Sequence, residues 1–219
     1  MFRERFVMGE RQLTPIEEPH ISLGEIACAE PLSIGLHAVN RAGSLLGETV
    51  LVTGGGTIGC MTVMSARLAG AAHIICCDIT DRALEMARTV GADRTVRSDQ
   101  IDPAELADIA EVSFECAGST PALATCLKAT RRGGRIVQVG TLPPEVPFPA
   151  NSIMARELDY RGVFRAHLEF DWAVQAIRTR RVDVRPLISA QLPLQRSREA
   201  FELALDKTRS TKVQVVAEA

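Results

Sequence analysis

Residues 49–78, TVLVTGGGTIGCMTVMSARLAGAAHIICCD, constrain this chain more than any other stretch, because they read as strand, glycine-rich turn, helix and a second strand ending on an acid. Val50, Leu51 and Val52 make a short apolar run suited to a buried parallel strand. Gly54, Gly56 and Gly59 then space a GxGxxG turn where the chain must bend sharply into a helix over 58–68. Gly54 is expected to permit the tight turn, Gly56 to leave the backbone open to a pyrophosphate, and Gly59 to let the helix pack close on the strand. The unpaired N–H groups and positive dipole end of the helix beginning at Ile58 would face the phosphates. Asp78 follows the strand 73–77, where a carboxylate can accept both ribose hydroxyls of an adenosine and repel a 2′-phosphate, which favours NAD over NADP. Arg82, one turn further on, could neutralise a 2′-phosphate, stack on adenine, or be an ordinary solvated helix residue.

The rest of the composition narrows the field mainly by exclusion. Formal charge is −2 over 219 residues with no run of like charges, so nothing points to nucleic acid. The short RTRR at 178–181 reads as a solvated helix end favoured by the macrodipole. No segment approaches the apolar length that crosses a bilayer, and MFRERFVMGER at the amino terminus carries charges where a signal peptide needs an apolar core. A soluble, cytoplasmic protein is the expectation. The six cysteines, Cys28, Cys60, Cys76, Cys77, Cys116 and Cys126, form no CxxC pair, which argues against zinc-finger and redox sites. Cys76 and Cys77 are neighbours on an apolar strand and are expected to be small buried hydrophobes on opposite faces. His37 would share a helix face with Glu30, and reads as a polar helix residue without a metal.

After Asp78 the alternation continues. Helix 80–91 has Thr80 as N-cap and Gly91 as stop, and is followed by a strand through 94–96, a short helix in IDPAELADIA and a strand in VSFECAG from Val112. A helix over 121–130, stopped at Gly133 and Gly134, leads to a buried strand RIVQVG at 135–140. This is a doubly wound parallel sheet of the Rossmann kind. Its crevice is expected at the strand ends, around 54–59, Asp78, 116–118 and 139–141. The proline-dense LPPEVPFPANS reads as a loop before a strand at 160–164. Beyond it come a helix near 169–179, an extended PLISAQLPL, a helix SREAFELALDK opened by Ser197, and a last strand KVQVV. Before Pro31 only the FVM run and the turn-like TPIEEPH stand out, and neither flank has the elements for a core of its own.

With these residues assembled, the chain resembles the medium-chain, zinc-dependent alcohol dehydrogenases, and more narrowly their sorbitol dehydrogenase and L-idonate 5-dehydrogenase branch. AEPLSIGLHA at 29–38, VLVTGGGTIG, VSFECAG, RIVQVG, GVFR and the tail SREAFELALDKTRSTKVQVV follow in family order over nearly the whole chain. The resemblance implies an NAD-binding Rossmann domain at 31–163, flanked by incomplete pieces of a mostly β, GroES-like catalytic domain at 1–30 and 164–219. By position it implies cofactor contacts from Gly54, Gly56, Ile58, Gly59, Asp78 and Arg82, a nicotinamide lining from Val139, Gly140, Thr141, Val163 and Phe164, and a pyrophosphate contact from Lys212. Glu30 resembles a glutamate that approaches catalytic zinc, and Arg165 a residue that binds a substrate hydroxyl or carboxylate. From the residues alone, Glu30 reads instead as a helix N-terminal carboxylate and Arg165 as a surface cation.

The resemblance implies an NAD-dependent oxidation of a secondary alcohol of a polyol or sugar acid to a ketone, with zinc polarising the alcohol, in an enzyme that forms a homodimer. The family's cysteine and GHE-type ligands are absent from this sequence, so one glutamate is not expected to fix a zinc. Rival expectations are therefore a truncated, catalytically silent NAD(H)-binding module, or a subunit completed by another chain.

Overall fold

A computed structural model describes residues 5, 7–166 and 168–217. Residues 1–4 and Phe6, which hold part of the charged amino terminus and the start of the FVM run, lie outside the described residues. Strands β1 (Thr49–Thr53), β2 (His73–Asp78), β3 (Arg94–Arg97), β4 (Ala110–Glu115), β5 (Thr130–Gln138) and β6 (Asp159–Gly162) form one parallel sheet in the order β3-β2-β1-β4-β5-β6. The chain starts at the middle, winds outward to β3, and returns to place β4 beside β1. Order reverses between β1 and β4, and it is there that a crevice opens beyond the strand ends.

The apolar runs of the strands are continuous because helices cover both faces. Val50, Val52, Ile74, Cys76, Val112, Phe114 and Val137 belong to one buried cluster, while Leu51, Ile75, Cys77, Val96 and Ile136 belong to the other. Period-two alternation thus sends Cys76 and Cys77 into different cores, as expected of small buried hydrophobes. The larger cluster is built with α1 (Leu23–Ile26), α2 (Ala29–Ala42), α3 (Thr57–Leu68), α4 (Asp81–Thr89) and α7 (Glu169–Arg178), and the smaller with α5 (Thr120–Ala129) and α6 (Ala150–Arg156). Helices α2 and α3 approach closely at Gly35, where a Cβ would lie 2.7 Å from the Met61 carbonyl. A fully buried side chain such as Phe114 contributes about 1.5–3 kcal/mol here.

Local expectations hold in part. Thr80 is the N-cap of α4, but its hydroxyl donates to Asp78 instead of capping. Gly133 and Gly134 do not stop a helix: α5 ends at Ala129, and both glycines lie within β5, at a register shift against β4. The proline-dense loop is shorter than read, because α6 begins at Ala150 directly after Pro149, and its strand ends at Gly162 rather than Phe164.

The flanks pack onto the same core. Ile21 and Cys28 from the amino side and Val182, Val184 and Leu187 from the carboxyl side sit in the larger cluster. Strands β7 (Ile188–Pro193) and β8 (Lys212–Val216) pair in parallel on either side of α8 (Ser197–Leu205). Gln214, hydrogen-bonded to Gln191 at 2.8 Å, donates to the carbonyl of Gly24 at 2.8 Å and so ties this ribbon to α1.

The RTRR segment is not simply a solvated helix end, because Arg178 pairs with Glu18 and Arg180 with Glu25. Glu25 is only 6% exposed and closes a capping box, accepting from the Ser22 N–H at 3.0 Å and hydroxyl at 2.7 Å. Burial pushes its carboxyl up, but Arg180 and Ser22 outweigh that and bring it down from 4.5 to about 2. The stabilisation is therefore present above pH 4.5 and lost as pH falls toward 2. Glu25→Gln is expected to cost on the order of 2 kcal/mol at about pH 7 in urea unfolding, with the gap to wild type narrowing below about pH 4.5 and closing only below about pH 2. A gap independent of pH would show that Glu25 acts through packing alone.

Candidate functional site

The strand-to-helix turn builds the floor of the crevice. Gly54 leaves β1 with φ +89°, and a Cβ there would lie 2.8 Å from the Ala117 amide nitrogen. Gly56 is the N-cap of α3 and offers no side chain to the first helical N–H groups. A Cβ at Gly56 would meet nothing within 4 Å, so the backbone faces open space. Gly59 is different: its Cβ would fall 1.7 Å from the Gly54 carbonyl oxygen. The first turn of α3 is thus clamped on the glycine turn itself.

A crevice of 640 Å³ extends from this turn. It is bounded by residues 53–59, by Asp78 and Thr80 after β2, by Cys116, Ala117 and Ser119 after β4, and on the far side by Ala204, Lys207, Ser210 and Thr211. The Thr57 hydroxyl donates to the Thr211 carbonyl at 2.6 Å and holds that far wall to the start of α3. Asp78 occupies the position expected of it, but as an anchor of the turn. Its Oδ2 accepts from the Gly55 N–H at 2.7 Å, and its Oδ1 from the Thr80 N–H at 2.8 Å and hydroxyl at 2.9 Å. A ribose hydroxyl would be a further donor to a carboxylate already held in place.

Arg82 does not line the crevice. Its guanidinium turns toward Ser189, donating at 3.3 Å, and its Nε is buried without a hydrogen-bond partner among the described residues. Ser98 and Asp99 line that end of the crevice, and sequence reading missed both. Arg97 grips Asp99 through two bonds of 2.9 and 2.8 Å and also reaches Asp81, and its guanidinium holds the Asp99 carboxyl below the usual carboxylate range.

The other named residues are dispersed. Ile58 and the three glycines line the crevice, whereas Val139, Gly140, Thr141, Val163, Phe164, Arg165 and Lys212 are outside its walls. Gly140 and Thr141 sit just behind, since a Cβ on Gly118 would meet the Thr141 carbonyl at 2.7 Å and one on Gly140 would meet the Gly118 amide at 2.3 Å. Phe164 is 84% exposed with the Arg165 guanidinium 5.3 Å over its ring, and Arg165 itself has φ +60°. Lys212 faces a separate 270 Å³ cavity with Ala27, Phe201 and Val213. Thr211, the residue before Lys212, lines the crevice. Glu30 is exposed in the first turn of α2, the placement of a helix N-terminal carboxylate. His37 Nδ1 lies 2.9 Å from the Glu169 carboxylate, which also accepts from the Asn40 side-chain amide, so these residues join α2 to α7.

Among the described residues no group of three or more His, Cys, Asp or Glu side chains comes together to hold a metal ion. Cys116 reaches the crevice, but burial pushes its thiol up to about 12 against a weaker pull from Thr62, which makes it a poor nucleophile or ligand. No helix of the described residues is long and apolar enough to cross a membrane.

The family model for zinc-binding dehydrogenases matches residues 57–179. L-idonate 5-dehydrogenase (NAD(P)(+)) of Escherichia coli K12 is 38% identical over 195 residues, covering 87% of this chain and 57% of that protein. Sorbitol dehydrogenase of Gallus gallus is 35% identical, covering 83% of this chain and 54% of the relative. The crystal structure of the Escherichia coli L-idonate 5-dehydrogenase superposes with a TM-score of 0.86 at 36% identity, covering 91% of this chain and 58% of that one. The chain therefore spans little more than half the length of the relatives it matches.

Proposed function

The chain belongs to the zinc-binding dehydrogenase family, and on that footing we propose that it binds NAD(H) in the crevice and serves the oxidation of a secondary alcohol of a polyol or sugar acid, L-idonate-like in class, to the ketone. One observation carries this reading: the open space over Gly56 at the start of α3, continuous with a crevice that ends at Asp78. A diphosphate would take the α3 N–H groups and the dipole end there, with Asp78 at the ribose. Nicotinamide, when bound, accepts the hydride. What the chain supplies is position, through the glycine turn, the Asp78 anchor and the wall held by Thr57 and Thr211.

The described residues do not by themselves form a zinc site, since Glu30 is exposed and no three ligating side chains converge. That observation favours a second reading, a catalytically silent NAD(H)-binding chain. We further propose a homodimer through β6, whose outer edge has no partner strand among the described residues and whose Tyr160 ring packs on the exposed Phe148.

Calorimetric titration of a sample whose mass has been fixed by light scattering tests the reading. NADH is expected to bind one site per chain of a dimer, and turnover of L-idonate or sorbitol with NAD⁺ and added zinc separates the active reading from the silent one. A chain that binds no NADH overturns both.

A further inference from the structure

We propose that Glu115 is a positioning residue for the crevice, one that joins the loops following β4 and β5 and so sets the dinucleotide geometry without lining the crevice itself. The proposal rests on the dinucleotide reading above. Glu115 is a carboxylate at the end of an apolar strand, with 0% of its surface exposed. Its Oε1 accepts from the N–H groups of Ala117 at 2.9 Å and Gly118 at 2.8 Å, and its Oε2 accepts from the side-chain amide of Gln138. That amide also donates to the Gly140 carbonyl at 2.7 Å, while the Gln138 carbonyl oxygen accepts from the Tyr160 hydroxyl at 2.8 Å. The Glu115 carbonyl completes the tie, accepting from Val139 at 2.9 Å and Gly140 at 2.8 Å.

This arrangement needs an acceptor with no hydrogen to place. A carboxylate offers about four lone-pair sites and donates nothing, and here three donors converge on it. Glutamine would set its NH₂ against either the Ala117 and Gly118 amides or the Gln138 amide, donor against donor. Rotating Gln138 to relieve that clash would turn its carbonyl toward the Gly140 carbonyl oxygen. The loops are in direct contact, since a Cβ on Gly140 would fall 2.3 Å from the Gly118 amide nitrogen, so displacing one displaces the other. Cys116 and Ala117, inside the turn that Glu115 holds, are crevice wall. A fully satisfied buried network of this kind rigidifies what it touches, and a half-satisfied one does the opposite.

Fluorescence titration with NADH, paired with thermal unfolding, tests the proposal on three variants. Glu115→Gln is expected to weaken NADH binding about tenfold or more and to diminish the emission enhancement of bound NADH, and Tyr160→Phe, which removes one outer donor, to weaken it about two- to threefold. Ser113→Ala is the control. It removes another buried polar contact on the same two strands, the 2.7 Å bond from Thr130 to Ser113, away from the loops, and is expected to lower the unfolding midpoint while leaving NADH affinity unchanged. The proposal is overturned if Glu115→Gln binds NADH as wild type does, or if Ser113→Ala loses as much affinity for the same loss of stability. If Glu115→Gln does not fold, Tyr160→Phe against Ser113→Ala decides by the same comparison. A wild-type chain that binds no NADH overturns the dinucleotide reading itself, which separates that failure from failure of the Glu115 network.

Discussion

Alanine at Gly59 is expected to unfold the chain, whereas alanine at Gly56 is expected to leave it folded and remove its dinucleotide site. A Cβ at Gly59 would sit 1.7 Å from the Gly54 carbonyl oxygen and 2.8 Å from its carbon, and both are backbone atoms of the turn that joins β1 to α3. Neither can move without pulling α3 off the sheet, where Cys60, Met61 and Val63 are fully buried. The cost should reach about 3 kcal/mol or more, a large share of the stability of a domain this size. At Gly56 the added methyl meets nothing in the protein, so the unfolding midpoint should change by no more than about 1 °C. The methyl instead fills the space a pyrophosphate would use, and NADH affinity should fall by about two orders of magnitude or more. Circular dichroism melts and NADH titration of both variants check the contrast. A stable Gly59→Ala chain, or a Gly56→Ala chain that binds NADH normally, would contradict the turn geometry on which the site is built.

That contrast also marks how much the sequence disclosed. The glycine spacing and the acid at 78 were legible because each local constraint acts within one strand-turn-helix unit, where spacing in sequence fixes spacing in space. The parallel order followed from the alternation of elements, and the opposed cores of Cys76 and Cys77 followed from the pleat. What was not legible is long-range. Thr211 reaches Thr57 from the other end of the chain, and Arg180 reaches Glu25 across most of its length. No periodicity announces either contact. The β5 bulge misled for a different reason, since glycines with room for positive φ serve a helix stop and a register shift equally well, and only pairing with β4 decides between them. Glu115 did leave a trace, a charge within the apolar VSFECAG, but a lone acid there gives no hint that Gln138 and Tyr160 will meet it.

Cofactor choice is expected to follow Asp78, with NADH bound at least about tenfold more tightly than NADPH, because a carboxylate facing a 2′-phosphate costs about 1.4 kcal/mol or more. The geometry strengthens the side of Asp78 against Arg82. Asp78 is held in place by Gly55 and Thr80, and Asp99 adds a second carboxylate to the same end of the crevice. Arg82, the cation one turn beyond Asp78, is turned toward Ser189 with its Nε buried, and would have to leave that position to reach a phosphate. Arg97 is no substitute while Asp81 and Asp99 hold it. Two variants read the balance. Arg82→Ala should leave the NADH-to-NADPH ratio within about twofold of wild type, because its guanidinium lies outside the site. Asp78→Ser should reduce the ratio by about tenfold, through weaker NADH binding as the Gly55 anchor is lost and through relief of repulsion toward NADPH. Titration calorimetry with both dinucleotides measures each ratio. Equal affinities in the wild type, or a ratio that Arg82→Ala shifts more than Asp78→Ser does, would mean that Arg82 swings into the crevice and that the acid at the end of β2 serves only to hold the turn.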